Sequence, residues 1–279
     1  MTSRILITGG TGSVGSAIVE NLIDHGYTVT VLCRNEASQH NALAMGANVL
    51  PGDIEAPQYW IDEICHFETL IHTACSFGED MGAIDRRFAE AIINATTQHS
   101  HNLLVLYTTG CWTFGAHDKV IDETYPKQST PEFSWMIDNA AYLDNVPHID
   151  LRRVSPVNVV TDELKVPPLL SLSAEDNDFI EIPNSAPLHW SLVERTSLAD
   201  LYRLVMEKGQ RGEEYIGADE VGLPVDALAA QVSTKPIKRV PIKTWMEKYG
   251  DWARGYSLNQ RFSSQKAQTQ LGWQPKKIF

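Results

Sequence analysis

The chain has no Cys-x-x-Cys pair, no His-x-x-x-His pair, no basic run of five residues and no apolar run approaching a membrane span of roughly 18 residues. Each absence removes a class of function. Its four cysteines, Cys33, Cys65, Cys75 and Cys111, lie scattered among apolar stretches, so buried reduced thiols are expected and a disulfide framework is not. Nine histidines show no ligand spacing, His99 and His101 being only two apart, and no metal site is expected. The formal net charge of −12, carried without a basic patch, argues against nucleic acid or an anionic membrane as the main partner. Met1-Thr2-Ser3-Arg4 leads straight into an apolar run with no signal peptide, which predicts a cytoplasmic location.

What is present is an ordinary globular composition, 43% apolar and 21% charged over 279 residues, enough for one large domain or two small ones with a sizeable core. Its most informative stretch is Thr8-Gly9-Gly10-Thr11-Gly12-Ser13-Val14-Gly15, directly after Ile5-Leu6-Ile7. A strand that turns sharply into a helix needs glycine for positive φ and for close backbone approach. The helix start then offers unpaired N–H groups to a pyrophosphate. Val14, Ile18, Leu22 and Ile23 follow near helical spacing, His25-Gly26 is a stop signal, and a second apolar run covers Thr28 to Leu32. Strand, glycine turn, helix and strand thus fit within about 30 residues, as a βαβ unit requires.

Further strand-like runs lie at Asn48–Leu50, Thr69–Thr73, Leu103–Thr108 and Ile149–Val154, with helical segments between them. Apolar strands without two-residue alternation predict a parallel sheet covered by helices on both faces. After about Val160 the pattern changes: Pro167-Pro168, Pro183 and Pro187 sit among short apolar stretches of no clean period. A helix near Ser197–Lys208 and a short strand at Glu214–Gly217 rejoin the first pattern. The expectation is a dinucleotide-binding region over 1–160 and a smaller substrate-binding region over 161–279, partly interleaved with it.

Several segments, in order, resemble the extended short-chain dehydrogenase/reductase superfamily, the NAD-dependent epimerase/dehydratase-like group. They are the Thr8–Gly15 loop, Val31-Leu32-Cys33-Arg34-Asn35, Gly52-Asp53-Ile54, Ile71-His72-Thr73-Ala74, Arg152-Arg153-Val154-Ser155-Pro156-Val157, and a C-terminal signature running through Gln270-Leu271-Gly272-Trp273-Gln274-Pro275. The resemblance implies a Rossmann-type doubly wound sheet. It implies a nicotinamide dinucleotide held by Gly9, Thr11, Gly12, Ser13, Val14, Gly15, Arg34, Asp53, Ile54, Thr73, Ala74 and Thr108. Arg34 stands where an acidic residue would bind the ribose 2′-hydroxyl of NAD; a guanidinium there suits a 2′-phosphate, so NADP(H) is expected ahead of NAD(H). Asp53 resembles the residue that contacts the adenine amino group and equally suits a helix cap. His72 reads as a packed strand residue. The family also often pairs into homodimers through two helices, here roughly Gly82–His99 and Pro131–Asn145.

The family's chemistry uses a Tyr with a Lys four residues on, and a Ser or Thr hydroxyl at the end of the fifth strand. Aligned on the strand, Gly110 falls at the hydroxyl position and Thr109 is the nearest substitute, the candidate catalytic group. Trp135 and Asn139 fall at the Tyr and Lys positions, and no Tyr-x-x-x-Lys occurs anywhere in the chain. Trp112 and Trp135 suit either an aromatic wall over a flat substrate or core packing. Three readings stand: an oxidoreductase of a small organic substrate that takes its proton from elsewhere, a non-catalytic NADP-sensing regulator or scaffold, and a non-redox isomerase, cyclase or lyase on the same fold.

Overall fold

Ile5, Leu6 and Ile7 are wholly buried in β1 (Arg4–Thr8), and their burial on both faces is what an apolar strand without alternation demands. The computed structural model describes residues 4–76, 78 and 80–279. The chain continues through α1 (Ser13–Asp24), β2 (Thr28–Cys33), α2 (Glu36–Ala44), β3 (Asn48–Pro51), β4 (Thr69–His72), α3 (Met81–Gln98), β5 (Leu103–Thr108), β6 (Val120–Ile121), α4 (Ser134–Asp144) and β7 (Ile149–Pro156). There follow β8 (Asn158–Val160), α5 (Pro168–Asp176), β9 (Ile180–Pro183), β10 (His189–Glu194), α6 (Arg195–Lys208), β11 (Glu214–Gly217), β12 (Glu220–Pro224), α7 (Val225–Val232), β13 (Ile237–Val240), α8 (Ile242–Tyr249) and β14 (Arg261–Phe262).

Seven strands form one sheet in the order β11-β7-β5-β4-β1-β2-β3. Pairing is parallel from β3 across to β7. The bonds Arg153 N–H to Glu213 O and Val157 N–H to Gly217 O advance along both chains together, so β11 is parallel as well. This is the expected α/β, Rossmann-type doubly wound sheet. Its strand order reverses between β1 and β4, and the crevice beyond the carboxyl ends of such a pair is where ligands bind in open α/β sheets.

By internal contacts the chain divides into two units: Met1–Thr109 with Trp135–Val154 and Leu198–Glu214, and Gly110–Ser134 with Ser155–Ser197 and Tyr215–Phe279. The first has a core of Leu6, Leu70, Phe88, Ile92, Val105, Leu143 and Leu151, with Trp60 at its edge. α3 buries Met81, Ile84, Phe88, Ala89, Ile92 and Ala95, near the three-and-four spacing of an amphipathic helix, and gives this core Phe88, Ala89, Ile92 and Ala95. The second unit packs Leu170, Ile180, Ile182, Trp190, Leu192, Val225 and Leu228 together, and carries three small sheets, β12-β10-β8, β13-β9 and β14-β6. Its strands in these sheets are two to six residues long, which is why the sequence shows no clean period there. Among the described residues no helix is long and apolar enough to cross a membrane.

Candidate functional site

The glycine turn is built by backbone contacts that leave no room for side chains. Gly9 has φ +74°, and a Cβ there would lie 2.7 Å from the amide nitrogen of Ala74. A Cβ on Gly15 would lie 2.1 Å from Gly9 O, the same carbonyl that accepts the Gly12 N–H at 2.9 Å. Gly12 is the N-terminal flank of α1 and no side chain caps that end, so the first-turn amides of Ser13, Val14 and Gly15 have no intrahelical partner. Gly12 and Ser13 are exposed, while Thr11 and Val14 are half-buried. An open helix start with uncapped amides and no Cβ at Gly12 fits a pyrophosphate.

β4 closes against this turn. The carbonyl of Thr8 accepts both the Thr73 N–H at 3.1 Å and the Thr73 hydroxyl at 2.8 Å. Thr73 and Ala74 therefore meet Gly9 at the strand-order reversal. At the end of β2, buried Cys33 is followed by exposed Arg34. Asn35 then caps α2, accepting the Ser38 N–H at 2.9 Å, while its own N–H donates to Ser38 Oγ at 3.2 Å. Arg34 thus stands directly before a capped helix start. After β3, Asp53 accepts the Glu55 N–H at 3.0 Å, and its carbonyl accepts the Trp60 indole N–H at 2.8 Å. The Trp60 ring lies under Gly52, where a Cβ would stand 2.6 Å from it. Ile54 packs on the first unit's core.

The end of β5 is more committed. Thr108 donates its hydroxyl to His72 O at 2.7 Å and shares a 2.7 Å bond with the hydroxyl of Tyr202, whose pKa burial pushes up. Thr109 is buried and donates to Glu214 Oε1 at 3.1 Å and to Val154 O at 3.4 Å. Gly110 is extended, with open space where a Cβ would stand.

On α4, Trp135 lies over Gly82, where a Cβ would come within 2.7 Å of its Cγ. Asn139, one turn on, is buried and donates to Asp85 Oδ2 at 2.8 Å. Asp85 also accepts the Tyr107 hydroxyl at 2.6 Å and pairs with His72 Nε2 at 2.8 Å. His72 Nδ1 lies 2.6 Å from the Thr8 hydroxyl. Burial, and secondarily the Asp85 carboxylate, push the Tyr107 phenol well above its ordinary range. His72 is the packed strand residue the sequence suggested, but packed within a polar chain. Asp85 was missed, although its signal is readable: an acidic residue within the apolar stripe Met81, Ile84, Phe88. Trp60, Tyr202 and Glu214 were missed too, and the placement of their ring, hydroxyl and carboxylate has no sequence signal.

Trp112 packs in the second unit. Its ring lies 5.1 Å from those of Phe133 and Tyr256, and Gly255 leaves room for it, since a Cβ there would fall 2.1 Å from the indole. Trp112 is half-buried within this aromatic cluster. Among the described residues no group of three His, Cys, Asp or Glu side chains could hold a metal ion.

Residues 5–131 match the family described as NAD dependent epimerase/dehydratase. Over that N-terminal stretch, just under half of its length, the chain is similar to this family. An uncharacterized protein of Schizosaccharomyces pombe is 25% identical over 280 residues, covering 98% of this chain and 95% of that one. Two solved structures of 16% identity share the fold of this chain. The UDP-glucose 4-epimerase of Thermus thermophilus in complex with NAD has a TM-score of 0.79, covering 99% of this chain and 95% of that one. The dTDP-glucose 4,6-dehydratase DesIV of Streptomyces venezuelae with NAD and TYD bound has a TM-score of 0.79, covering 98% and 92%.

Proposed function

We propose that the chain binds a nicotinamide dinucleotide, NADP(H) ahead of NAD(H), and is an atypical short-chain oxidoreductase acting on a small organic substrate whose product is protonated by solvent. The observation that carries the binding half is the uncapped start of α1 behind the Gly9–Gly15 turn. Arg34, exposed before the cap of α2, supports the 2′-phosphate preference, and the structural relatives solved with NAD support a nicotinamide cofactor. In this reading Gly9, Thr11, Gly12, Ser13, Val14 and Gly15 hold the pyrophosphate, Arg34 the 2′-phosphate, and Asp53 with Ile54 the adenine. Thr73, Ala74 and Thr108 flank the ribose and nicotinamide.

When bound, the dinucleotide would supply or accept a hydride. The chain's own residues supply little acid: an indole at Trp135 donates without ionising near neutral pH, and the Asn139 amide carries no charge to stabilise a phenolate. General acid catalysis is worth roughly 10²- to 10⁴-fold, so acceptors that need it are poor substrates. Quinones and conjugated alkenes, which solvent can protonate, suit the site. Thr109 is the hydroxyl assigned to the reacting oxygen, with Glu214 behind it. The reading further places the protein in the cytoplasm, with the smaller 161–279 region taking the substrate. It pairs two copies through α3 and α4, and a monomer in light scattering at micromolar concentration would remove that last element.

The test follows loss of NADPH absorbance against a carbonyl panel and a quinone panel. Turnover of quinones with negligible turnover of simple ketones, aldehydes and nucleotide sugars is expected, and Thr109→Ala should slow it more than Trp135→Phe. Robust ketone turnover would overturn the reading. The hydroxyls of Thr108 and Thr109 are both engaged in internal bonds, which favours a dinucleotide-sensing regulator as the second reading. Tight NADPH binding with silence on both panels selects it.

A further inference from the structure

One buried carboxylate ties together the strand ends on which the glycine turn rests. Asp85 is 6% exposed, and a carboxylate at that depth persists only when its lone pairs are filled. They are filled by three donors from three elements: His72 on β4, Tyr107 on β5 and Asn139 on α4. Facing an acceptor on Asp85, His72 Nε2 carries the proton, which leaves Nδ1 as an acceptor for the Thr8 hydroxyl at 2.6 Å. Thr8 is the last residue of β1. Its carbonyl takes both bonds from Thr73, and the next residue, Gly9, is wedged at positive φ against the backbone of Ala74.

We propose that Asp85 is a positioning residue for the dinucleotide site, acting through His72 and Thr8 to fix the Gly9 turn against Thr73 and Ala74. The proposal rests on the dinucleotide reading above. It distinguishes the Asp85–His72–Thr8 line from the rest of the cluster. The Tyr107 hydroxyl is bound to the same carboxylate but is not on that line, so its loss weakens the core without releasing Thr8. A hydrogen-bonded link that orders a binding loop contributes about 0.5–1.5 kcal/mol net, enough for a severalfold to tenfold change in affinity.

The experiment titrates NADP+ calorimetrically into wild type, Thr8→Val, Asp85→Asn and Tyr107→Phe, with thermal unfolding and imidazole ¹⁵N spectra of His72 recorded alongside. Thr8→Val and Asp85→Asn are expected to raise the Kd about fivefold to tenfold. Tyr107→Phe should lower the melting temperature while leaving the Kd within twofold. Wild-type His72 is expected as the Nε2–H tautomer, with signals that move when NADP+ binds; Asp85→Asn should mix the tautomers. Should Asp85→Asn fail to fold, Thr8→Val decides. Wild-type affinity in Thr8→Val, or a Tyr107→Phe variant that binds as weakly as the other two, overturns the proposal. Wild-type protein that binds neither NADP+ nor NAD+ overturns the dinucleotide reading, and this proposal with it.

Discussion

The side-chain amide of Asn139 donates to Asp85 at 2.8 Å inside the first unit, so this residue is tied into a buried hydrogen-bond cluster. Trp135, one turn earlier, rests on Gly82. Restoring the residue types alone therefore should not restore the chemistry. The double variant Trp135→Tyr/Asn139→Lys is expected to show no gain in NADPH-dependent ketone reduction, followed by absorbance. Asn139→Ala, which takes one donor from Asp85, should cost about 1–3 kcal/mol in urea unfolding. Ketone turnover appearing in the double variant would show that residue 139 can reach the reacting atoms.

Gly12 and Gly15 look alike in the sequence but do different work. A methyl on Gly15 would meet Gly9 O at 2.1 Å and Gly10 Cα at 2.8 Å, both backbone atoms that cannot swing aside. A methyl on Gly12 meets only Gly9 O at 3.2 Å and otherwise faces outward. Gly15→Ala is expected to lose at least ~1–3 kcal/mol of stability through overpacking. Gly12→Val should unfold near the wild-type temperature yet give no heat with NADP+, because its branches fill the pyrophosphate's approach. A Gly12→Val variant that still binds would move the ligand away from this turn.

Arg34 tests the choice of dinucleotide. An exposed arginine before a capped helix start can clasp a 2′-phosphate with two charge-assisted bonds. Their loss in Arg34→Ala should cost about 1.5–3 kcal/mol, roughly ten- to a hundredfold in NADP+ affinity, and leave NAD+ affinity little changed. Equal affinities for NADP+ and NAD+ in the wild type would remove the preference.

How far the sequence carried these arguments varied with how local the cause was. The Gly9–Gly15 turn was legible because its requirement, glycine where φ is positive and backbones touch, is written in adjacent residues. The seven-stranded sheet was legible because a buried parallel strand must be apolar throughout. Asp85 was legible only as an acidic residue within an apolar helix stripe; its role was not, since its partners His72, Tyr107 and Asn139 lie 13, 22 and 54 residues away. Trp112 stayed open between wall and core for the same reason: Gly255 and Tyr256, which make room for it and pack against it, come from the far end of the chain.

Alkaline stability follows from the groups that the fold buries in their neutral form. Burial raises Cys111 from its ordinary 9.0 to about 12, and burial likewise pushes Tyr107, Tyr202 and Tyr256 upward. A raised native pKa means that the folded chain keeps a proton the unfolded chain releases, so more protons are bound in the native state once the pH passes the unfolded value. The stabilisation is complete below about pH 9 and is lost as the pH climbs from there toward 12. Urea midpoints are therefore expected to hold between about pH 7 and 8.5 and to fall steadily above about 9. The same burial makes a thiol poorly reactive, since only the thiolate attacks. Iodoacetamide at about pH 8 should leave Cys111 unmodified in the folded protein and alkylate it after urea unfolding, read by peptide mass. Rapid native alkylation of Cys111, or a urea midpoint unchanged up to about pH 11, would show that these groups are not buried as described.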